Sequence, residues 1–309
     1  MIKKILFTGG SGMVGKNFLE NSKVKKFKVL APSSKNLDLR NFKNLKKYIK
    51  KNKPDLIIHS AAKVGGIQAN LNFPLPFLLE NLEIGKNVIL AAYEANVKKL
   101  INIASSCMYP KNFNKPLKEE NILDGKLEES NEGYALAKIL STRLCQYINN
   151  QNSKFRYKTL IPCNMYGKYD KFDPEHSHLI PAIIHKLHIA KQRKAKFVEV
   201  WGNGLARREF MFAEDFAEIL FKSIIDFNTL PEIMNVGPGY DYTVKQYYVK
   251  ISKIVGYDGK FIFNKKKPTG VRKKLISNLK LKNWGWNNFA SLSKGILKTY
   301  AYYNDGRNK

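Results

Sequence analysis

The chain has 309 residues, 44% of them hydrophobic and 12% aromatic, enough for the core of one large domain or two that share an interface. That excludes an intrinsically disordered tail and a disulfide-stapled miniprotein. Its 54 Lys and Arg against 25 Asp and Glu give a formal net charge of +29, but the lysines fall in small groups along the whole length, so a solvated basic surface is favoured over a nucleic-acid face and no nucleic acid is expected as partner.

In chain order, residues 5–8 form a short β-rich run that ends in Gly9-Gly10-Ser11-Gly12-Met13-Val14-Gly15, and residues 16–22 read as helix. A strand at 27–31, a helix at 42–52 and a strand at 55–59 continue the alternation, followed by a helix at 74–96, a strand at 99–104, a helix at 131–150 and a strand at 158–161. Strands alternating with long helices predict right-handed βαβ units, hence an α/β, doubly wound parallel sheet that binds ligands at its strand ends. Beyond residue 166 the rhythm breaks into a polar loop at 168–177, a helix at 179–194 and short mixed elements. The expected organisation is a dinucleotide-binding Rossmann domain over 1–165, to which a segment at about 205–236 returns, and a smaller mixed α/β substrate domain over 166–309.

Gly9, Gly12 and Gly15, with Met13 and Val14 between them, follow the first strand and open a helix, the context in which backbone N–H groups approach a pyrophosphate. The end of the second strand, Ala31-Pro32-Ser33-Ser34-Lys35, carries no acid to repel a 2′-phosphate, so NADP(H) is expected over NAD, with Ser33 as a contact. Asp38 and Leu39 are placed at the adenine, with a helix cap as the plainer reading of Asp38.

Tyr134 and Lys138 stand at i and i+4 of a helix between the fourth and fifth strands, and Ser105 lies just past the fourth. A neighbouring cation favours the phenolate, so Tyr134 is expected to be drawn down toward working pH as a proton donor and acceptor, with Ser105 orienting a carbonyl oxygen. Three cysteines with no CxxC pair point to a reducing, cytoplasmic setting. No apolar run reaches the length of a membrane span, no signal peptide is seen, and no membrane association is expected. His176 and His178 form an HxH pair, but no carboxylate or cysteine completes a ligand set, and no metal is expected. His185 and His188 read as packing or surface residues.

Taken together, Ala61-Ala62-Lys63-Val64-Gly65-Gly66-Ile67-Gln68-Ala69-Asn70, Ser105-Ser106-Cys107-Met108-Tyr109-Pro110-Lys111, Asn131-Glu132-Gly133-Tyr134-Ala135-Leu136-Ala137-Lys138, Ser177-His178-Leu179-Ile180-Pro181 and Arg208-Glu209-Phe210 resemble the extended short-chain dehydrogenase/reductases, and within them the GDP-L-fucose synthases (GDP-4-keto-6-deoxy-mannose epimerase/reductases). The resemblance covers nearly the whole chain. It implies an NADP-dependent oxidoreductase of nucleotide-sugar biosynthesis, with Ser105, Tyr134 and Lys138 as its reductase triad and Cys107 and His178 as the acid/base pair for C3/C5 epimerisation. It also implies cofactor contacts at Ala61, Ala62, Pro162 and His178, and substrate contacts at Asn164, Trp201, Arg208 and Lys267. The implied substrate is a GDP-linked 4-keto-6-deoxy sugar, and the implied assembly a homodimer paired through the long helices at 74–96 and 131–150. The pattern departs at Ser11 and at the second-strand end, where the family carries arginines, and at Gly133, at residues 212–215 and at Ser277. Such departures keep open a C4 reductase of a GDP-4-keto-heptose for surface polysaccharide.

Overall fold

A computed structural model describes residues 2–113, 115–173, 177–267 and 271–307, with Ile67 and Arg307 by their backbone only. The first five strands are β1 (Lys4–Thr8), β2 (Lys28–Leu30), β3 (Leu56–His59), β4 (Lys99–Ile103) and β5 (Arg156–Pro162). Between them run the helices α1 (Met13–Glu20), α2 (Phe42–Asn52), α3 (Ile67–Asn72), α4 (Pro74–Glu94) and α5 (Glu132–Gln151). The later elements are β6 (Asn164–Tyr166), α6 (Leu179–Gln192), β7 (Phe197–Trp201), β8 (Arg207–Arg208), β9 (Phe210–Phe212), α7 (Ala213–Ile225), β10 (Ile233–Val236), β11 (Tyr242–Thr243), α8 (Val244–Val255), β12 (Lys260–Asn264), β13 (Lys273–Lys274), α9 (Leu279–Asn283) and α10 (Leu292–Arg307).

Six strands form one sheet in the order β10-β5-β4-β3-β1-β2, parallel throughout. Both faces are covered, because successive strand side chains point opposite ways. Ile5 and Phe7 enter a core with Phe18 of α1 and Phe216 and Leu220 of α7, while Leu6 joins Leu45 and Ile49 of α2 and Val88 and Ile89 of α4 on the other side. The doubly wound sheet expected from the alternation is therefore present, and β10 takes its edge beside β5. A separate core gathers α6, α8 and α10 with β7 and β12, around Ile183, Leu187, Val200, Tyr247 and Ile296. Three details differ from the sequence expectation. The first helix starts at Met13 inside the glycine turn, α3 precedes the long α4, and the strand expected at 158–161 extends to Arg156–Pro162.

One polar clamp holds the segment after β4 over the end of the sheet. The Tyr109 hydroxyl, fully buried, donates to Asn235 Oδ1 at 2.6 Å. Asn235 in turn donates from its backbone N–H to Glu119 Oε1 at 2.8 Å and from Nδ2 to the Leu117 carbonyl at 2.9 Å. Every member is satisfied, which is the condition under which a buried polar network stabilises. Tyr109→Phe leaves Asn235 Oδ1 buried without its donor, and is predicted to lower the unfolding free energy in a urea titration by about 1–3 kcal/mol.

Candidate active site

A cavity of about 620 Å³ opens at the C-terminal ends of β1, β3, β4 and β5, the edge at which doubly wound sheets take ligands. Thr8 and His59, ending β1 and β3, fasten that edge through a 2.8 Å hydrogen bond between Thr8 Oγ1 and His59 Nδ1. Burial pushes His59 down to about 3, so the bond is made by a neutral ring.

The glycine turn forms one wall. Gly9 has φ +81°, and a methyl group there would meet the Ala61 backbone nitrogen at 2.7 Å, so only glycine lets the turn lie against the strand β3 loop. Gly12 is the N-cap of α1 and lines the cavity with Met13 and Val14. A methyl group at Gly12 would find nothing nearer than 3.5 Å, which leaves backbone N–H groups at a helix N-terminus open to an anion. Gly15 is not on the wall. It packs against Gly9 and Gly10, where an added methyl would lie 2.5 Å from Gly10 Cα, so it serves the approach of α1 to the turn.

At the end of β2, Pro32 and Ser34 line the cavity, but Ser33 does not. The Ser33 carbonyl instead accepts the N–H groups of Asn36 and Leu37 at 3.0 and 2.9 Å in a turn, and Ser34 is the serine that reaches the wall. Asp38 and Leu39 do line it. Asp38 is not the cap of α2, a role taken by Asn41, whose Oδ1 accepts the Asn44 N–H at 3.0 Å. The Asp38 carboxylate accepts from Arg40 Nε and NH2 at 3.0 and 2.9 Å, and these bonds hold it below the usual carboxylate range. Arg40 also reaches the wall.

The opposite wall carries the candidate chemistry. Ser105, Cys107, Tyr134, Lys138, Asn164 and His178 all line the same cavity, with Ala61, Ala62 and Pro162 between them and the glycine turn. Lys138 is buried; its ammonium donates to the Ile103 carbonyl at 2.9 Å and lies 5.7 Å from the centroid of the Tyr134 ring. Burial draws Lys138 down to about 8, against a smaller upward influence of Cys107. The expected lowering of Tyr134 is not found. Burial, with Cys107 adding to it, pushes the phenol above its ordinary value, because desolvation of the anion outweighs a cation already engaged by a carbonyl.

Ser105 Oγ accepts the Cys107 backbone N–H at 3.3 Å, fixing the turn that carries both. Burial raises the Cys107 thiol, opposed by the Lys274 ammonium, the Ser105 bond and Lys138. His178 is the N-cap of α6, and its pKa is lowered by burial and then by Lys171. The positive end of a helix acts in the same direction, but His178 is exposed, so solvent screens much of both effects. The two groups therefore rest as a thiol and a neutral imidazole near neutral pH.

The loop after β3 is clamped by Asn81 of α4, which is buried. Its Oδ1 accepts the Lys63 N–H at 2.7 Å, and its Nδ2 donates to the carbonyls of Lys63 and Phe77 at 3.0 and 2.7 Å. Three residues expected at the substrate are not on the cavity wall. The Arg208 guanidinium donates to the carbonyls of Arg207 and Val271, Trp201 is half exposed, and Lys267 Nζ lies 5.5 Å from the Trp201 ring centroid. Residues 268–270 beside it, and His176, lie outside the described residues. His185 and His188 meet the hydroxyls of Tyr303 and Tyr300 at 2.8 and 3.1 Å, as packing residues do. Arg40 and Lys274 join the wall without a sequence signal beyond their charge, and Lys63 joins it from within a motif that carries the resemblance. For Lys274 the register of β13 against β8, Lys274 opposite Arg208, is what places it.

Residues 5–237 match the model of the NAD dependent epimerase/dehydratase family. The chain is 52% identical over 305 residues to the GDP-L-colitose synthase of Yersinia pseudotuberculosis, covering 99% of each. Among solved structures it is similar to a GDP-6-OMe-4-keto-L-xylo-heptose reductase from C. jejuni, with TM-score 0.91, 30% identity and coverage of 99% of this chain and 98% of that one. It is also similar to a GDP-L-fucose synthetase from Naegleria fowleri bound to NADP, with TM-score 0.89, 27% identity and coverage of 99% and 94%. These matches bear out the expectation of an enzyme that works with a nicotinamide dinucleotide. Gly9→Ala forces a side chain into the left-handed region and onto the Ala61 backbone, and is predicted to weaken dinucleotide binding at least about tenfold in a fluorescence titration.

Proposed function

We propose that this chain, which belongs to the NAD dependent epimerase/dehydratase family, is an NADPH-dependent reductase of the 4-keto group of a GDP-linked 4-keto-6-deoxy sugar, with proton exchange at C3 and C5 preceding reduction. The observation that carries this reading is the convergence of Ser105, Tyr134, Lys138, Cys107 and His178 on the cavity that also holds the glycine turn. Gly9, Gly12, Met13 and Val14 suit the pyrophosphate, Asp38 and Leu39 the adenine, and Ser34 with Arg40 a 2′-phosphate, since a hydroxyl and a guanidinium both donate to phosphate oxygens. When bound, the dinucleotide supplies the hydride that goes to C4.

The protein's own part follows from its charges. Tyr134, kept protonated by burial, gives its proton to the C4 oxygen, and the Lys138 ammonium stabilises the phenolate left behind. The Ser105 hydroxyl orients that oxygen. A 4-keto group acidifies the hydrogens on C3 and C5; the neutral His178 imidazole is ready to take a proton and the Cys107 thiol to give one, while Tyr134 and Ser105 stabilise the enolate oxygen.

Residues 1–165 with the returning segment at 205–236 are proposed to hold the dinucleotide, and the remainder of 166–309 to cap the substrate, with Asn164, Trp201, Arg208 and Lys267 reaching the nucleotide-sugar. The separate core of α6, α8 and α10 supports that division. A homodimer is proposed through α4 and α5, which expose Leu75, Leu79, Leu136, Leu140 and Tyr147. Similarity to the C. jejuni heptose reductase makes a GDP-4-keto-heptose the comparison substrate.

With GDP-4-keto-6-deoxy-mannose, Tyr134→Phe is predicted to lower the rate of NADPH oxidation at least about a hundredfold, and an unchanged rate would remove the triad. Deuterium uptake from heavy water at C3 and C5 is predicted to vanish in His178→Ala, which removes the base; uptake that survives excludes the imidazole from that role. With Lys138 drawn down to about 8, its ammonium is present below that pH and lost above it. The ratio kcat/KM is therefore predicted to fall about tenfold per pH unit above about 8 in a pH profile.

A further inference from the structure

Two asparagines that line the cavity each carry a buried amide oxygen with no donor among the described residues. Asn131 is the N-cap of α5, three residues ahead of Tyr134, yet its side chain makes no cap bond, although Asn at that position ordinarily accepts an N–H of the first helical turn. Its Oδ1 is buried and unpartnered, and the residue is one of those that line the cavity. Asn70, in α3, is buried and also lines the cavity. Its Nδ2 donates to the carbonyls of Gly65 and Gly66 at 3.0 and 2.9 Å, which fixes the amide orientation and turns Oδ1 into the member without a partner. The two residues come from adjoining elements, because α3 packs against the turn Glu129–Asn131.

We propose that Asn70 and Asn131 form a subsite that reads ring hydroxyls of the sugar, each amide oxygen accepting one hydroxyl proton while the 4-keto group faces Tyr134. This rests on the nucleotide-sugar reading above and adds to it the group recognised beside the carbonyl. A buried acceptor left without a donor carries the full desolvation penalty, so the ligand that belongs in this cavity is one that brings donors to that wall. A ring hydroxyl does so without charge. A phosphate, which offers only acceptors, is excluded from these two oxygens, and the cationic side chains Lys63 and Lys274 on the same cavity are the groups that suit it. Asn70 is also held by its own loop, so Asn131, whose side chain supports no other described group, is the residue to test. The role is one of substrate positioning.

The test uses the NADP⁺-loaded protein and calorimetric titration with GDP-mannose, a stable probe carrying every ring hydroxyl, and with GDP alone. Asn131→Leu, close in volume but without an acceptor, is predicted to weaken GDP-mannose about tenfold and to leave GDP and NADPH affinities within about twofold. Asn131→Asp, which keeps the acceptor, is predicted to retain GDP-mannose within about threefold. Repeating the wild-type titration with 2-deoxy and 3-deoxy GDP-mannose identifies the hydroxyl, since only loss of the one that is read removes the difference between wild type and Asn131→Leu. Unchanged GDP-mannose affinity in Asn131→Leu overturns the subsite while leaving the reductase reading intact. Equal weakening of GDP and GDP-mannose, or loss of NADPH affinity, overturns it as well, the latter assigning the oxygen to the dinucleotide. A wild type that binds neither GDP nor GDP-mannose removes the nucleotide-sugar reading itself.

Discussion

The ammonium of Lys138, buried and donating to the carbonyl that ends β4, is the interaction on which the site depends. An unpaired cation at that depth would be too costly to keep, and a main-chain oxygen at the end of a central strand is an immovable partner for it. The bond fastens α5 to the ligand edge of the sheet, and Tyr134, one turn earlier on the same helix, is thereby set on the cavity wall beside Ser105 and Cys107. The same low polarity that draws Lys138 down to about 8 pushes Tyr134 up, so the pair rests as an ammonium close to its titration point and a protonated phenol. For a reduction that is the useful state, because the carbonyl oxygen needs a proton as it gains the hydride.

The rest of the structure keeps this wall and the glycine turn in place. The sheet is packed on both faces, and several of its loops are tied by buried polar side chains. Asn81 clamps the loop after β3, and the Tyr109–Asn235–Glu119 network clamps the segment after β4. Glu209 does the same for the far side, accepting the N–H groups of Gly239 and Ile276 at 2.8 and 3.0 Å. Burial raises Glu209 to about 8, so these two bonds to a carboxyl deep in the protein hold the last loops against β8 and β9. Against that frame the thiol of Cys107 and the imidazole of His178 are displaced in opposite directions, one toward keeping its proton and the other toward losing it.

What could be read from the chain alone was local. The glycine turn, the alternation of strand and helix and the i, i+4 pairing of Tyr134 with Lys138 depend on spacings of a few residues, and each lies where the pattern puts it. Offsets of one to three residues arose where no period applies: the helix after the turn begins at Met13, and the turn at 33–37 leaves Ser34 and not Ser33 on the cavity wall. The sign of the Tyr134 shift was missed for a different reason. Spacing reveals the neighbouring cation, whereas desolvation sums over residues far apart in sequence. Lys274 and Arg40 were indistinguishable from the many surface cations until β13 and the Asp38 carboxylate gave them places. The unpartnered oxygens of Asn70 and Asn131 are likewise a property of packing, although both residues stand inside motifs that carried the family resemblance.

The central claim is that one cavity brings a carbonyl held by Tyr134 to the hydride-bearing face of the dinucleotide, and the isotope in the product reports it directly. NADPH deuterated at the transferable position of the nicotinamide, mixed with the protein and GDP-4-keto-6-deoxy-mannose, is predicted to leave one deuterium on C4 of the sugar by NMR. Product that carries its label elsewhere, or oxidised dinucleotide with no label in the sugar, would contradict it.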